Sequence, residues 1–450
     1  MELIAEWITL DFDWDESQAS TSRAYWLTQG YPNTSALAGI KVGFDGTIYV
    51  TVPRWKPGVP STLNKLVLSE SSDSFILKPF PSWDFNTVSL RNCQSMTIDS
   101  LNRMWILEVG RENFADGDPS TTINAPAGVI VLDLENNQVN DTLSYTFPGS
   151  VVPVNNSFLN DIALDLDRGF AYFTSTFANG LIVVYDFHHN ESWSFTGPPT
   201  QRNSTFDFIV DGYNYGNCNG CVGSSPVDGI ALSSDGADLY FSPVQGQDLW
   251  KIQTSVLRNR SSTKADFVDA AQLFGYKTGM SDGLLIIDNY LYYGDIMHSA
   301  IKKVSLDTQD VYTDSTTLGI SEVDFRWPDT FAPSLDGSGA FHFVTNRLDT
   351  SFNLSMSFND NNHYTNFHIW KYDPSSVTTS NSDTGSDMLL IIIPVVIGIT
   401  MMMILNYKII TYCQHSQRKQ KHGGEEDDGD DDYYNDENLW KKNAKNSNAL

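Results

Sequence analysis

Polar side chains recur at one position of a repeated sequence pattern, just before each of several predicted β-hairpins. Carboxylate and amide oxygens that converge in this way could bind calcium, which prefers six to eight oxygen ligands, or could neutralise a cationic organic ligand. The alternative is structural, because such side chains often bond to backbone amides within a turn. The residues at this position are Gln94 and Ser95, Asn160 and Asp161, Asp228, Ser281 and Asp282, and Asp329.

No familiar catalytic motif accompanies these residues. The sequence has no Gly-x-Ser-x-Gly elbow, no His-Glu-x-x-His motif and no glycine-rich phosphate loop. His298 could act as a general base, although a hydrogen-bonded structural histidine is the commoner case. Cys218 and Cys221 have no second Cys/His pair near them, which favours a small disulfide-closed loop over a zinc or redox site. Cys93 is then expected to be unpaired and buried.

Six copies of one hairpin pattern position the polar residues. Each copy has an apolar strand, a turn rich in Asp, Asn or Gly, and a second strand rich in aromatic residues. The copies span residues 39–52, 95–110, 161–176, 228–243, 282–296 and 329–346. With the apolar strands between them, they predict an all-β, six-bladed β-propeller over residues 1–373. We expect the first strand, Leu3–Phe12, to close the ring by pairing with Phe367–Tyr372.

The rest of the chain has the pattern of a membrane anchor with a short tail. A Ser/Thr/Asp linker over 374–387 precedes Met388–Leu405, which is uncharged and long enough to cross most of a bilayer core. We predict a single transmembrane helix over 388–410, with a buried core helix as the alternative. Basic residues follow it, which places the disordered tail, 411–450, in the cytoplasm. The acidic run in this tail must be solvated, and a partner for it is unknown.

The acidic character of the chain belongs to its N-terminal region. The formal charge is −27, of which residues 1–387 contribute −25, so nucleic-acid binding is not expected. All the Asn-x-Ser/Thr sequons precede the membrane segment, which agrees with a glycosylated extracellular or luminal region. They start at Asn33, Asn140, Asn155, Asn190, Asn203, Asn259 and Asn353. The first 13 residues do not resemble a signal peptide, so we expect the true N-terminus to be missing from this gene model.

Several segments resemble the major royal jelly protein and yellow family. The likeness runs from about Glu6 to Tyr372. The segments that carry it are VTVPRWKPGVPSTLN (50–64), CQSMTIDSLNRMWILEVGR (93–111), SDGLLIIDNYLYYGDIMHSAI (281–301), WPDTF (327–331) and TNR (345–347). The resemblance implies a secreted, often glycosylated six-bladed propeller. Members include pigmentation proteins, some of them similar to dopachrome-converting enzymes, nutritive jelly proteins and salivary proteins that bind biogenic amines.

The resemblance also implies candidate ligand residues. In the amine binders a Thr and an Asn that match Thr330 and Asn346 hold the ligand, followed by an aromatic residue where this chain has Leu348. Leucine offers no ring face to a cation. We therefore expect a small amine or catechol-like ligand in the channel at Thr330, Asn346 and Leu348, together with the polar ring of Gln94, Asp161, Asp228, Asp282 and Asp329.

Three other functions remain open on the sequence alone. One is an isomerase that acts on dopachrome-like catechol derivatives. Another is a calcium-dependent, lactonase-like hydrolase, which would need a metal held by several of Asp161, Asp228, Asp282 and Asp329. The third is an adhesion or scaffold module, which would use exposed apolar loops rather than a ligand in the channel.

Overall fold

Six antiparallel sheets follow one another along the chain and form the predicted six-bladed propeller. The computed structural model describes residues 1–32, 36–115, 118, 120–178, 180–210, 212–214, 225–352 and 364–376. In each blade the predicted hairpin supplies the inner and second strands, and a third and an outer strand complete the sheet. The alternation of apolar and polar residues in the sequence therefore predicted the blade correctly.

Each blade consists of an inner, a second, a third and an outer strand, in that order across the sheet. Blade 1 consists of Ile40–Val42, Ile48–Thr51, Leu63–Leu68 and Phe75–Pro79. Blade 2 consists of Cys93–Ile98, Arg103–Glu108, Gly128–Asp133 and Gln138–Val139, and Tyr145–Thr146 also pairs with its third strand. Blade 3 consists of Leu159–Asp165, Phe170–Ser175, Leu181–Asp186 and Glu191–Phe195. Blade 4 consists of Val227–Leu232, Asp238–Pro243, Asp248–Gln253 and Gln272–Tyr276. Blade 5 consists of Leu284–Ile287, Tyr290–Asp295, Ala300–Ser305 and Thr316–Ile320. Blade 6 consists of Trp327–Pro333, Phe341–Asn346, Phe367–Tyr372 and Glu2–Trp7.

Short elements occupy the connections between strands. Two small hairpins are Arg111–Glu112 with Ile123–Asn124 and Ile209–Val210 with Tyr213–Asn214. The α-helices are Arg23–Thr28, Thr254–Arg258, Lys264–Ala270, Val311–Asp314 and Leu348–Phe352. The remaining turns are the 3₁₀ segments Ala19–Thr21, Pro198–Thr200, Ile296–His298 and Pro374–Ser376 and the π-helical Phe85–Ser89.

The N-terminal strand closes the ring, as the sequence predicted. Glu2–Trp7 pairs antiparallel with Phe367–Tyr372 in blade 6. The strand is shorter than the predicted Leu3–Phe12, because the chain leaves blade 6 after Trp7. Phe12 instead forms a bridge with Leu77 on the outer strand of blade 1. The first 13 residues therefore connect the last blade to the first.

Apolar side chains fill the interfaces between neighbouring blades. Blades 3 and 4 share Tyr172, Ile182, Ile230 and Phe241, all buried, and each of the other interfaces has a similar cluster. Burying one such side chain stabilises the fold by roughly 1.5–3 kcal/mol. Packing between blades thus supplies the rigid frame for residues on the inner strands.

A further apolar cluster, which we name the apolar layer, covers one end of the channel. Most members lie just before or at the start of an inner strand or just after a second strand, and these positions are at the same end of each antiparallel hairpin. Phe208 and Val210 come instead from the connection between blades 3 and 4. The buried members are Ala36, Ala38, Trp55, Val109, Phe158, Phe208, Val210, Val244, Met280, Ile296, Trp327 and Leu348. This layer lies next to the polar ring predicted from the sequence.

Several sequence predictions concern residues outside the described part of the chain. These are the Cys218–Cys221 disulfide, the sequons at Asn33 and Asn353, and residues 377–450 with the membrane segment and tail. By its contacts the chain divides into Met1–Val377 and Thr378–Leu450. Among the described residues, no helix has the length and apolar character needed to cross a membrane. Cys93 is buried and unpaired, as predicted.

Candidate functional site

Each blade contributes two consecutive residues, at the start of its inner strand, to the wall of the central channel. From blade 1 to blade 6 the pairs are Ala38–Gly39, Gln94–Ser95, Asn160–Asp161, Asp228–Gly229, Asp282–Gly283 and Asp329–Thr330. All of these residues except Gly229 line one cavity. The space that the centre of a water molecule can reach in it is about 10 Å³, which holds about one water.

A β-bulge explains why two adjacent side chains can face the same channel. In blade 3, Leu159 pairs with Ser175 and Ile162 with Phe173, so two inner-strand residues oppose one residue of the second strand. The same shift occurs at the paired residues of blades 2, 4 and 6. A bulge breaks the strict alternation of strand side chains and re-aims them. The polar ring is thus built into the strand pairing.

The glycines of the ring allow neighbouring inner strands to approach closely. A Cβ atom at Gly229 would lie 2.2 Å from the carbonyl oxygen of Asp282, and one at Gly283 would lie 2.5 Å from that of Asp329. The Gly283 amide donates a hydrogen bond to the same Asp329 oxygen, at 2.7 Å. The Asp-Gly pairs are therefore not turns, which was the structural alternative for these positions.

The four aspartates form one side of the ring, which we name the acidic arc: Asp161, Asp228, Asp282 and Asp329. They come from blades 3 to 6 in order, and the amides of Gln94 in blade 2 and Asn160 in blade 3 line the same cavity. Each carboxylate accepts one hydrogen bond from a neighbouring side chain. The donors are Ser95 Oγ to Asp161 at 3.2 Å, Asn160 Nδ2 to Asp228, Trp327 Nε1 to Asp282 at 2.8 Å and Asn346 Nδ2 to Asp329 at 3.0 Å.

Burial makes the charged state of the acidic arc unfavourable. It raises the pKa of all four carboxyl groups, and for Asp228 and Asp329 the neighbouring Asp282 carboxylate raises the pKa further. One buried carboxylate opposes ionisation of the next. The arc is therefore stabilised by whatever brings positive charge to it, whether a proton or a cation.

Two lysines supply internal positive charge near the acidic arc. Lys41 donates to the carbonyl oxygen of Phe331, at 3.0 Å, and lies close enough to Asp161 to lower its pKa. Lys277 is fully buried and donates to Ser242 Oγ, at 2.5 Å, and to Ser281 Oγ. Burial lowers the pKa of Lys277 to about 7. The two lysines face four carboxyl groups whose pKa values are raised, so the charge of the site depends on how many protons these groups hold.

The residues predicted from the family resemblance lie beside the arc. Thr330 lines the cavity. Asn346 is buried, and its amide nitrogen also donates to the carbonyl oxygen of Leu37 at 3.0 Å. Its side-chain oxygen accepts from the Leu348 amide at 2.8 Å, and the Leu348 side chain packs in the apolar layer. Asn346 therefore orients Asp329 and connects the arc to the layer above it.

Two indole rings link the apolar layer to the ring of polar residues. Trp327 donates to Asp282, and Trp55 Nε1 donates to Gln94 Oε1 at 2.9 Å. Both rings are buried in the layer. The two indole N–H groups therefore connect the apolar layer to the polar ring.

Two sequence hypotheses receive no support from the geometry. No group of three or more His, Cys, Asp or Glu side chains in the described ranges is arranged to hold a metal ion. We therefore derive no metal-dependent step. His298 lies outside the cavity, and its Nδ1 atom contacts Asp295 Oδ2 at 2.8 Å, as expected of a structural histidine.

Sequence reasoning missed four residues of the site: Lys41, Lys277, Trp55 and Trp327. The stretch Lys277-Thr-Gly-Met-Ser-Asp282 does lead directly into the ring, and a charged residue so close to a predicted channel position was a usable signal. No local pattern shows, however, that a lysine on a connecting segment turns inward. The same holds for the two indoles, whose type suits a core as well as a site.

The fold and the ring together define a closed six-bladed propeller with an acidic, apolar-capped channel. The chain belongs to the major royal jelly protein family, whose sequence pattern matches residues 93–373. It is 31% identical over 293 residues to protein yellow of Drosophila melanogaster, covering 59% of this chain and 50% of that protein. For protein yellow of Drosophila subobscura the identity is 30% over 288 residues, covering 59% and 47%. The chain thus spans about half the length of the curated relatives it matches.

Similarity to solved structures is weaker. A luciferin-regenerating enzyme superimposes with a TM-score of 0.44 and 12% identity, covering 75% of this chain and 91% of that one. Regucalcin, a calcium-binding protein from Agrobacterium tumefaciens, gives 0.41 and 12%, covering 74% and 89%. At these values the similarities carry no argument about function.

Proposed function

We propose that this chain is a membrane-anchored extracellular propeller that binds a small cationic or aromatic ligand, of biogenic-amine or catechol type, in its central channel. The observation that carries the proposal is the acidic arc. Four carboxyl groups line one cavity with two lysines near them, and a buried carboxylate is costly unless positive charge compensates it. The ammonium group of an amine would reduce this cost.

The surroundings of the arc suit the two parts of such a ligand. An ammonium group has hydrogen-bond donors, and each carboxylate of the arc can accept more than the one side-chain bond described above. The apolar layer, with Leu348, Trp55 and Trp327, would contact the carbon skeleton. The indole rings could supply the aromatic face that Leu348 lacks. Because the cavity now holds about one water, we expect side chains around it to rearrange when such a ligand binds.

Thermal unfolding of the full-length chain with a panel of amines and catechols tests the proposal. Serotonin or dopamine at 100 times its dissociation constant should stabilise the wild type by about 2.7 kcal/mol. Asp329→Asn keeps the shape of the side chain and removes its charge, so this stabilisation should fall. Asp336→Asn, at an exposed turn of the same blade, is the matched control and should keep it. Failure of every amine and catechol to stabilise the wild type would contradict the proposal.

A further inference from the structure

Lys277 has an unusual environment for a lysine. It is fully buried, and its Nζ atom contacts two serine hydroxyls. Within the described residues, no carboxylate oxygen lies within ion-pair distance of it. Four carboxyl groups surround it at longer range and oppose the effect of burial: Asp295, Asp248, Asp228 and Asp282. Its ammonium charge is therefore only weakly favoured over the neutral amine.

The position of Lys277 follows from the repeat. In blades 1 and 3, Thr51 and Thr174 of the second strand donate to the inner strand of the next blade, at the carbonyl oxygens of Gln94 and Asp228. Ser242 occupies the matching position in blade 4, one residue after the partner of Ile230. Its hydroxyl instead accepts from Lys277 and donates to the carbonyl oxygen of Asp248, at 2.9 Å. After blade 4, therefore, the ionisable Lys277 bonds to the hydroxyl that, in blades 1 and 3, makes a neutral hydrogen bond to the next blade.

The segment that carries Lys277 is fixed in place. Thr278 Oγ1 donates to Asp295 Oδ2 at 2.6 Å, and a Cβ atom at Gly279 would lie 2.1 Å from Asp295 Oδ1. Asp295 also contacts His298, whose side chain is 53% exposed. Ser281, which contacts Nζ, immediately precedes Asp282 of the acidic arc. Lys277 is thus fixed next to the acidic arc through its contact with Ser281. The hydrogen-bonded Asp295 and His298 side chains extend from its surroundings to solvent.

We infer that Lys277 controls the pH at which the acidic arc accepts a cation, because a cationic ligand binds there with loss of a proton from Lys277 Nζ to solvent. The inference rests on the proposed function. When the Lys277 amine is neutral, it no longer compensates the negative charge of the arc, and Ser281 Oγ can donate its hydrogen to Nζ. When the amine is charged, it compensates the arc as the ligand would, and it repels a cationic ligand.

The direction of the effect follows from the charges. Between pH 6 and pH 8.5 the bound ammonium of serotonin stays protonated, as a lysine-like amine does, whereas Lys277 changes from charged to neutral. The affinity of the wild type for serotonin should therefore rise by at least about tenfold over this range. Deprotonation of the carboxyl groups of the arc also raises the affinity as the pH increases. A variant is therefore needed to separate their effect from that of Lys277.

Titration calorimetry of the full-length wild type and Lys277→Met at both pH values makes the separation. The variant has no ammonium group to repel the ligand, so its affinity at pH 6 should exceed that of the wild type about tenfold, and the two should converge at pH 8.5. Lys251→Met, which removes a half-buried lysine from the third strand of blade 4, should behave as the wild type does. An equal pH dependence in wild type and Lys277→Met would overturn the inference while leaving the proposed function intact.

A measurement without ligand distinguishes the remaining outcomes. In urea unfolding, the stability of the wild type relative to Lys277→Met should rise as the pH increases above 7, because the unfolded lysine then holds a proton that the folded one has lost. A difference that stays constant with pH would overturn the inference, whatever the ligand does. Absence of serotonin binding to every form at both pH values would instead contradict the proposed function and, with it, the ligand part of the inference. Lys277→Gln serves as the second variant should Lys277→Met fail to fold.

Discussion

At the scale of single residues, the acidic arc depends on close contacts between the inner strands of neighbouring blades. The aspartates of the arc were found because they recur before each hairpin, and all four line the cavity. Their neighbours Gly229 and Gly283 were not singled out in the sequence. Their actual role, contact with the backbone of the next blade, is set by distances between strands that are more than 40 residues apart in sequence. No local pattern contains such information.

The close approach at Gly229 gives a direct test. Gly229→Ala would place a methyl group 2.2 Å from the carbonyl oxygen of Asp282 and 2.9 Å from Leu284 Cγ, so the inner strands of blades 4 and 5 must separate. We expect a loss of about 2–4 kcal/mol in the free energy of unfolding, measured by urea denaturation. Gly149→Ala is the control, because its nearest neighbour is Val154 Cγ2 at 4.0 Å. A loss that is equally small in both variants would show that the strands are not packed as described.

At the scale of elements, the period of the strands was predictable and their register was not. The repeated strand–turn–strand pattern gave the six hairpins, but a bulge shifts the facing of the side chains by one residue, and the pattern does not show where that shift occurs. The end of the closing strand was also misplaced. Leu10 and Phe12 are as buried as Ala5 and Trp7, so the apolar pattern continues although the chain has crossed from blade 6 to blade 1.

Removal of the closing strand tests its role in the ring. Deletion of residues 1–8 exposes the edge of Phe367–Tyr372 and removes the buried Ala5 and Trp7 side chains, along with the Trp7 Nε1 bond to the Phe75 carbonyl oxygen. We expect a loss of at least about 4 kcal/mol in stability, together with concentration-dependent association through the open edge. Unfolding and light scattering would measure the two effects.

A surface substitution on the same strand is the control for this deletion. Glu2→Gln removes a charge from an exposed side chain and should leave both the stability and the oligomeric state unchanged. A truncated chain that melts like the wild type and shows no additional association would show that blade 6 is complete without the N-terminal strand.

At the scale of the whole molecule, the acidic residues that bear on function are the four that line the channel. Residues 1–387 carry −25 of the formal charge of −27, and the four carboxyl groups of the arc line one cavity with two lysines near them. The apolar layer closes one end above them. Composition predicted an acidic domain, and the repeat predicted a ring. The internal lysines and the layer depend on how distant loops pack, which neither composition nor repeat specifies.

The proposed extracellular location predicts where the described region carries glycans. Asn155, Asn190 and Asn259 are exposed, whereas Asn203 is half-buried and its amide nitrogen donates to Asp248 at 3.2 Å. When the chain is expressed in a secretory host, glycosidase digestion should lower its apparent mass. Asn190→Gln and Asn259→Gln should each remove one glycan, and Asn203→Gln should change the mass least. A mass that is insensitive to glycosidase in every form would contradict an extracellular propeller.

The hydroxyls that cross from one blade to the next also bear on how such a ring can be rebuilt. Thr51 and Thr174 each belong to one blade, while the oxygens they bond belong to the following one. A single blade, cut out from its inner strand to its outer strand, would keep the donor hydroxyl of such a hydrogen bond and lose the acceptor carbonyl of the next blade. The transferable module is therefore offset by one strand: it begins at a second strand and ends with the inner strand of the next blade. Chimaeras joined at the hairpin turns would preserve both partners of every such bond.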